Sequence, residues 1–240
     1  MNQSDILAAK EAICEVGRRM YQNGFVAAND GNISVRLGEN DYLCTPTGVS
    51  KGYMTPEMIC RVDGAGNATE DTGAFRPSSE VKMHMRIYQD RPDVNAVVHA
   101  HPPHATAYAI AGIPLTAPIM PEAVIFLGCV PVAPYGTPST QEVPDGVAPY
   151  LPHYDAVLLE NHGALTYGAD VMAAYFKMES VEFYAKLLSL THNLGGPQLL
   201  TQEQVQKLHD LRKSMHLPGK HPMDICGRFT GKNTCNHCHK

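Results

Sequence analysis

The sequence predicts an α/β protein with a mixed or antiparallel sheet. Helical and strand-like segments follow one another, but without the strict alternation of strand and crossover helix that builds a doubly wound parallel sheet. The 240 residues, of which 44% are hydrophobic, are enough for one large core, and no Ser/Gly-rich linker or internal repeat divides them. We therefore expect a single domain over residues 1–216 and a tail over 217–240 with the composition of a flexible segment.

The N-terminal half predicts a long amphipathic helix, three short strands and a second helix. Apolar residues recur at helical spacing after Ser4, which can cap the first helix, and Asn23-Gly24 ends it. Segments rich in Gly and Pro separate the predicted strands at 33–37, 42–45 and 58–62. Ser78 or Ser79 is the expected N-cap of the second helix.

The C-terminal half predicts further strands near 95–100, 130–134 and 156–159. A short helix follows Pro103 and stops at Gly112. Asp170 can cap a long helix that reaches about His192. A capping box, Thr201-Gln202-Glu203-Gln204, begins a last helix that extends to about residue 216.

Composition and charge disfavour several classes of function. The formal net charge of −5 does not fit the basic surface of a nucleic-acid-binding protein. The first residues lack the basic region and apolar run of a signal peptide, and no apolar run is long enough to span a membrane. Seven cysteines, an odd number, are typical of reduced thiols rather than a disulfide framework. We expect a cytoplasmic protein without a nucleic-acid or membrane partner.

Two histidines end an apolar strand in the run VVHAH at 97–101. Successive side chains of a strand point to opposite faces, so His99 and His101 point to the same side. A second apolar strand leads to His162, and Gly163 behind it leaves the backbone free to turn. Three imidazoles with an open fourth position make a catalytic zinc site. Paired histidines also end strands at protein surfaces, but two strands that both end in histidine favour a metal site.

Three short polar motifs are candidates for anion binding or acid/base chemistry. PSSE at 77–80 precedes a helix, where hydroxyls and free N–H groups suit an anion and Glu80 can act as a general base beside a metal. Plain helix capping explains the same residues. TPTG at 45–48 and NDGN at 29–32 suit close approach of backbone N–H groups to a phosphate, but ordinary turns have the same composition.

Taken together and in order, five motifs resemble the class II aldolase/adducin family, and within it the L-fuculose-phosphate aldolase branch. They are NDGNIS (29–34), TPTG (45–48), PSSE (77–80), DVNAVVHAHPPHATA (93–107) and ENHGAL (160–165). Each motif is short, but the ordered set is specific, and the resemblance covers about residues 5–200. It implies a three-layer α/β/α sandwich with a largely antiparallel central sheet, and a homotetramer with active sites at subunit interfaces.

The resemblance also implies roles for individual residues. The family's metal-binding histidines match His99, His101 and His162, with Zn²⁺ as the expected ion and Mn²⁺ or Co²⁺ as alternatives. Glu80 matches the catalytic acid/base, and we count it among the candidate metal ligands. The phosphate of the substrate is expected on the residues that match the family's phosphate site: Asn32, Thr47, Gly48, Ser78 and Ser79.

The implied activity is the retro-aldol cleavage of a ketose 1-phosphate to dihydroxyacetone phosphate and a small aldehyde. The candidate substrates are L-fuculose 1-phosphate and a 5-deoxy- or methylthio-pentulose 1-phosphate. A decarboxylase, dehydratase or epimerase of the same family and a non-catalytic adducin-like scaffold are the alternatives. Ser79 beside Glu80 favours an aldolase, because the decarboxylase-like branch tends to place a lysine there. The three histidines disfavour a scaffold.

The chain departs from this branch where the family uses tyrosines to protonate the leaving aldehyde. Met120 stands at the first of these positions, and the tail after Leu217 contains no tyrosine. A more apolar pocket would suit a short deoxy or thioether aldehyde. Glu122 is expected to be a helix-start carboxylate. Lys51 and Lys82 are expected to be solvent-exposed.

The tail contains a Cys-x-x-Cys pair, Cys235 and Cys238, which has the spacing of zinc ligands. A structural zinc site needs further ligands, which Cys226 or His221 can supply, but the sequence has no second paired motif. Short tails rich in Lys, His and Cys are commonly disordered, and we favour that interpretation.

Overall fold

The computed structural model describes residues 2–226, with side chains up to Asp224. Its strands are β1 Asn32–Gly38, β2 Asp41–Cys44, β3 Cys60–Val62, β4 Ala96–Ala100, β5 Val132–Ala133, β6 Ala156–Leu159 and β7 Gly163–Gly168. Its α-helices are α1 Gln3–Gln22, α2 Val81–Asp90, α3 Pro103–Ile110, α4 Pro121–Phe126, α5 Glu142–Val147, α6 Val171–His192, α7 Gln202–Ser214 and α8 Met223–Cys226. Short 3-10 turns lie at Lys51–Tyr53, Pro56–Met58 and Ala148–Tyr150.

The strands form one sheet in the order β3-β2-β1-β4-β7-β6-β5. Every neighbouring pair is antiparallel except β5 with β6, which is parallel. The largely antiparallel sheet predicted above is therefore confirmed. The strand that carries the paired histidines, β4, lies in the middle of this order, and all five of its residues are buried.

Each face of the sheet carries its own apolar core. On one face, Val98 belongs to a cluster with residues of α1, α3 and α6, among them Ile13, Tyr108 and Met178. On the other face, Val97 belongs to a cluster with residues of α2, α5 and α7. Because adjacent residues of β4 face opposite cores, the strand shows no polar alternation. The three-layer sandwich is thereby confirmed.

The structure corrects two predicted helix starts. Asn2 caps α1, because its side chain accepts the N–H of Asp5 at 2.9 Å and the Asp5 carboxylate accepts the Asn2 N–H at 3.2 Å. Ser4 lies inside the first turn, so its assignment as the cap was wrong. Glu80 occupies the N-cap position of α2, and its side chain makes no capping hydrogen bond. The prediction that Ser78 or Ser79 caps this helix was also wrong.

Other boundaries agree with the sequence. Asp170 caps α6, which ends at His192 as predicted. Thr201 and Gln204 form the expected capping box of α7. The sequence did not predict β7 or α5. No helix among residues 2–226 is long and apolar enough to cross a bilayer.

The described start of the tail packs against α4 and α7. His221 is buried, and its Nε2–H donates to the Val124 carbonyl at 2.7 Å. Arg212 of α7 donates to the carbonyls of Ile125, at 3.0 Å, and Pro218, at 2.8 Å. The predicted domain boundary at residue 216 stays a prediction. The candidate second metal site on Cys226, Cys235 and Cys238 lies outside the described side chains.

We predict that Gly163→Ala destabilises the fold, because β7 lies against the end of β4 at this residue. An added Cβ would lie 2.5 Å from the Ala100 carbonyl oxygen and 2.6 Å from Cδ2 of His101. We expect the free energy of unfolding in urea to fall by about 1–3 kcal/mol. Gly38→Ala is the control, since its Cβ would meet nothing within 4 Å. Equal losses for the two variants would contradict the prediction.

Candidate metal and substrate site

Three histidines meet at one end of the central strands. His99 and His101 lie on the same side of the β4 end, as the two-residue period predicts, and His162 enters from the turn between β6 and β7. The Nε2 atoms of His99 and His101 are 3.2 Å apart. The ring centroid of His162 is 4.6 Å from that of His99 and 5.1 Å from that of His101. One nitrogen from each ring lies within 4.8 Å of the others.

The environment keeps the deepest imidazole neutral. Burial and the neighbouring rings of His162 and His101 lower the pKa of His99 well below its ordinary value. Its Nδ1 lies 2.9 Å from the Ala164 carbonyl, which can only accept, so Nδ1 carries the proton. The lone pair is therefore on Nε2 and faces the other two rings. Burial also lowers the pKa of His162, although the carboxylate of Glu80 opposes this.

His101 is oriented by the loop that precedes β1. Nδ1 of His101 lies 3.3 Å from Oδ2 of Asp30. Such a carboxylate behind an imidazole orients the ring and leaves Nε2 for the cluster. Gly31, next to Asp30, has a φ of +73°, and a Cβ there would lie 2.9 Å from the His99 carbonyl. The loop thus needs glycine at this residue to approach β4 closely.

The helix behind His101 is held in place by α6. Glu182, a buried residue of α6, accepts the backbone N–H groups of His104, at 3.1 Å, and Ala105, at 2.9 Å. The same carboxylate contacts Nδ1 of His104 at 2.6 Å. Unpaired N–H groups at a helix start favour a carboxylate. The chain therefore leaves β4 along a fixed path directly after His101.

Glu80 lies beside the three imidazoles. Its Oε1 is 3.4 Å from Nε2 of His162 and its Oε2 is 3.7 Å from Nε2 of His99. The side-chain amide of Asn32 donates to Glu80 Oε2 at 2.7 Å. Asn32 pairs with His99 across β1 and β4, so the sheet register itself brings amide and imidazole together.

The structure brings the predicted phosphate residues to this same end of the sheet. The loops 45–48 and 76–80 are joined by hydrogen bonds from Thr47 N–H to the Arg76 carbonyl, at 2.9 Å, and from Ser78 N–H to the Thr45 carbonyl, at 3.1 Å. Thr47, Gly48 and Ser79 are exposed, whereas Asn32 is buried beneath Glu80. Their binding of phosphate stays a prediction.

Sequence reasoning missed three side chains near these loops. Asp30 belongs to the NDGN motif, which was considered as a turn or a phosphate loop and not as a source of a carboxylate for His101. Ser139 donates its hydroxyl to Ser79 at 2.8 Å, and its position in an exposed loop left no signal in the sequence. Lys51 is 1% exposed, so its predicted solvent exposure was wrong, whereas Lys82 is exposed as expected.

Gly163 also has a different role from the one predicted. Its backbone does not need the left-handed conformation, and glycine is required because β7 approaches Ala100 and His101 closely. The residue in the left-handed region of this turn is Asn161, with a φ of 55°. Asparagine tolerates that region better than most residues.

The donor set fits a zinc ion. A tetrahedral site with Zn–N distances of about 2.0–2.1 Å places two ligand nitrogens about 3.3 Å apart. The nitrogens of His99 and His101 are 3.2 Å apart. The other ring nitrogen, Nδ1, of each histidine also has a partner: the Ala164 carbonyl for His99 and the Asp30 carboxylate for His101. Metal-bound histidines commonly have such partners. The geometry leaves Glu80 next to the open side of the cluster.

Comparisons with known proteins agree with these motifs. The sequence profile described as Class II Aldolase and Adducin N-terminal domain matches residues 11–189. An L-fuculose phosphate aldolase of Methanococcus maripaludis is 34% identical over 75% of this chain and 96% of its own length. A solved structure titled L-fuculose 1-phosphate aldolase has a TM-score of 0.79 and 32% identity, covering 89% of this chain and 98% of that one.

Relatives with other activities match at similar levels. A 3-oxo-tetronate 4-phosphate decarboxylase of Haemophilus influenzae is 33% identical over 86% of this chain and 99% of its own length. A 5-deoxy-D-ribulose 1-phosphate aldolase of Bacillus thuringiensis is 32% identical over 83% of this chain and 92% of its own length. Sequence identity therefore does not choose among these substrates.

We predict that His101→Ala loses the bound metal. Wild-type protein purified with zinc should hold about one divalent ion per chain, and the variant should hold less than about a tenth of that, because two imidazoles remain of three. Elemental mass spectrometry of the purified proteins measures this. His192→Ala, at the exposed end of α6, is the control and should keep the ion. A full metal content in His101→Ala would refute the assignment.

Proposed function

The chain belongs to the class II aldolase and adducin family, and on this premise we propose that it is a metal-dependent lyase that cleaves a ketose 1-phosphate. The products are dihydroxyacetone phosphate and a small aldehyde. The observation that carries the proposal is the meeting of the Glu80 carboxylate with three imidazoles that could hold a metal ion. A scaffold protein has no need of that arrangement.

The residues of the site suit the chemistry of the cleavage. A metal held by His99, His101 and His162 supplies a Lewis acid that stabilises negative charge developing on the carbonyl oxygen. Breaking the C3–C4 bond leaves its electron pair on C3 and converts the C4 hydroxyl into the aldehyde. We assign to Glu80 both proton movements, the removal of the C4 hydroxyl proton and its delivery to C3, since it is the carboxylate beside the imidazoles. The Asn32 amide orients that carboxylate.

The phosphate of the substrate is proposed to lie on the two joined loops. Gly48 has a φ of +72°, which lets a backbone N–H approach a ligand without a side chain in the way. Ser78 and Ser79 precede α2, whose N-terminal end favours an anion. Thr47 adds a hydroxyl from the facing loop. These donors suit a phosphate monoester.

The residues that we assign to the leaving aldehyde favour a substrate whose aldehyde part is short and apolar. Met120 is the N-cap of α4 and packs against the core, so this position offers no hydroxyl. Glu122 is exposed in the first turn of α4, as expected of a helix-start carboxylate. An apolar surface suits the aldehyde from a 5-deoxy- or methylthio-pentulose 1-phosphate, and L-fuculose 1-phosphate is the other candidate.

Decarboxylation of a 3-oxo-acid 4-phosphate is the second candidate, because a relative with that activity in its name matches this chain over almost its own full length. This decarboxylation would use the same metal, since the loss of CO₂ leaves a negative charge on the carbon next to the carbonyl group. Ser79 favours the aldolase: its hydroxyl accepts from Ser139 and provides no cation for a carboxylate.

We propose Zn²⁺ as the metal, with Mn²⁺ or Co²⁺ as alternatives, because neutral imidazoles suit zinc. We also propose a cytoplasmic location. Four cysteines of the described residues are buried and form no disulfide, which supports a reducing compartment. They are Cys14, Cys44, Cys60 and Cys129.

We predict chelator-sensitive release of dihydroxyacetone phosphate from at least one ketose 1-phosphate in a panel that includes L-fuculose, 5-deoxyribulose and methylthioribulose 1-phosphates. A coupled glycerol-phosphate dehydrogenase assay measures the product. The deoxy or methylthio substrate should have the highest kcat/KM. CO₂ release from a 3-oxo-acid 4-phosphate, without any aldolase signal, would instead establish the second candidate.

Glu80→Gln is the control for this assay. The amide has nearly the same shape, but it neither accepts nor delivers the proton, so turnover should fall by at least about 10²-fold. The metal content should stay at the wild-type level, since the three imidazoles are unchanged. A variant that retains wild-type turnover would remove Glu80 from the mechanism.

A homotetramer with interface active sites is also proposed, on the family resemblance. Apolar side chains are exposed in and near the last turn of α6, which supports self-association: Ile113 is 50%, Leu190 49%, Leu194 83% and Leu199 49% exposed. We predict that light scattering after size exclusion gives the mass of four 26.2 kDa chains. Leu190→Glu with Leu194→Glu should lower that mass. A wild-type mass of one chain would refute the tetramer.

A further inference from the structure

A buried lysine joins the loop before β1 to the TPTG loop, one of the two loops of the proposed phosphate site. Lys51 begins the short turn after the TPTG loop, and its side chain is buried. Its Nζ donates to the carbonyl oxygens of Asn29 and Val49, both at 2.8 Å. Asn29 belongs to the loop before β1, and Val49 directly follows Gly48. The Lys51 ammonium therefore links the two loops, because it donates to one backbone carbonyl in each.

The loop before β1 needs a contact of this kind. Its residue Ala28 has a φ of 46°, in the left-handed region that costs free energy for a residue with a Cβ. Lys51 holds the next residue, Asn29. Asp30, which contacts His101, follows in the same loop, and Asn32, which contacts Glu80, is the first residue of β1. Asn32 is held independently by its pairing with His99 across β1 and β4, so we expect the loss of Lys51 to loosen the start of the loop at Asn29 and not the contact with Glu80.

The charge of Lys51 points to an anion. The ammonium is hydrogen-bonded to two neutral carbonyls, while the carboxylates of Asp30 and Glu80 act on it through space. Burial lowers the pKa of Lys51 to about 8, and these carboxylates oppose the shift. At neutral pH the ammonium form predominates. A buried cation whose contacts are neutral is costly, and an anion bound at the adjoining loops would offset that cost.

We propose that Lys51 is a positioning residue of the phosphate site, which holds the loops 29–32 and 47–49 together and supplies positive charge behind them. The ligand is the dianion of a phosphate monoester or inorganic phosphate. This proposal rests on the proposed function for the placement of the phosphate. Lys51 acts on phosphate binding and not on bond cleavage, so its loss raises KM and leaves kcat nearly unchanged.

The test is titration of the full-length, metal-loaded protein with inorganic phosphate in a calorimeter. Lys51→Met has a similar volume but neither charge nor donors, and we expect its Kd to rise at least about tenfold. Lys51→Gln keeps an N–H donor without the charge, and it provides the test if Lys51→Met does not fold. Lys207→Met, on the exposed face of α7, removes the same charge elsewhere and should bind as wild type.

The outcomes separate this proposal from the proposed function. If either folded Lys51 variant binds phosphate as wild type does, or if the wild type does not bind phosphate, the proposal is overturned. For any ketose phosphate that is cleaved, KM should rise about tenfold while kcat changes by less than about threefold. Weaker phosphate binding in a protein that cleaves no ketose phosphate would support the role of Lys51 and refute the aldolase.

Discussion

The register of β4 between β1 and β7 is the constraint on which the whole site depends. It places His99 opposite Asn32 on one side and Leu165 on the other, with the Ala164 carbonyl in reach of the His99 ring. A shift of one residue would turn His99 and His101 to the other face of the sheet. Two buried apolar cores, one on each face, make such a shift costly. The packing of the interior therefore also sets the geometry of the cluster.

Electrostatic balance explains why these groups coexist in a partly buried place. Neutral imidazoles tolerate burial, since it disfavours their protonated form. The carboxylates of Asp30 and Glu80 contact those rings, and they also lie near the buried ammonium of Lys51. A divalent ion among the imidazoles would be attracted by both carboxylates, and a bound phosphate would be attracted by the ion and the ammonium. Each charge thus favours the binding of the next.

The parts that were predicted from sequence are those with a local signal. The two-residue period of a strand placed His99 beside His101, and capping residues placed α6 and α7. The strand β7 had no such signal, because its sequence GALTYG begins and ends with glycine and lacks the continuous apolar run that marks β4 and β6. The burial of Lys51 depends on Asn29, 22 residues away, so a local pattern could not indicate it. The position of Asp30 beside His101, 71 residues later in the chain, likewise depends on a contact that a local pattern cannot indicate.

The two ends of the proposed substrate are handled by different parts of the chain. The loops 45–48 and 76–80 of the proposed phosphate site are tied to one another and, through Thr45, to Ile33 of β1, so they are fixed at the end of interior strands. The aldehyde end is assigned to α4, whose last carbonyls accept hydrogen bonds from Arg212 and His221. Those residues anchor the start of the tail, so α4 and the tail are coupled through Val124 and Ile125. It follows that a displacement of the start of the tail would reach α4, whereas the loops of the proposed phosphate site are held separately by β1 and Lys51.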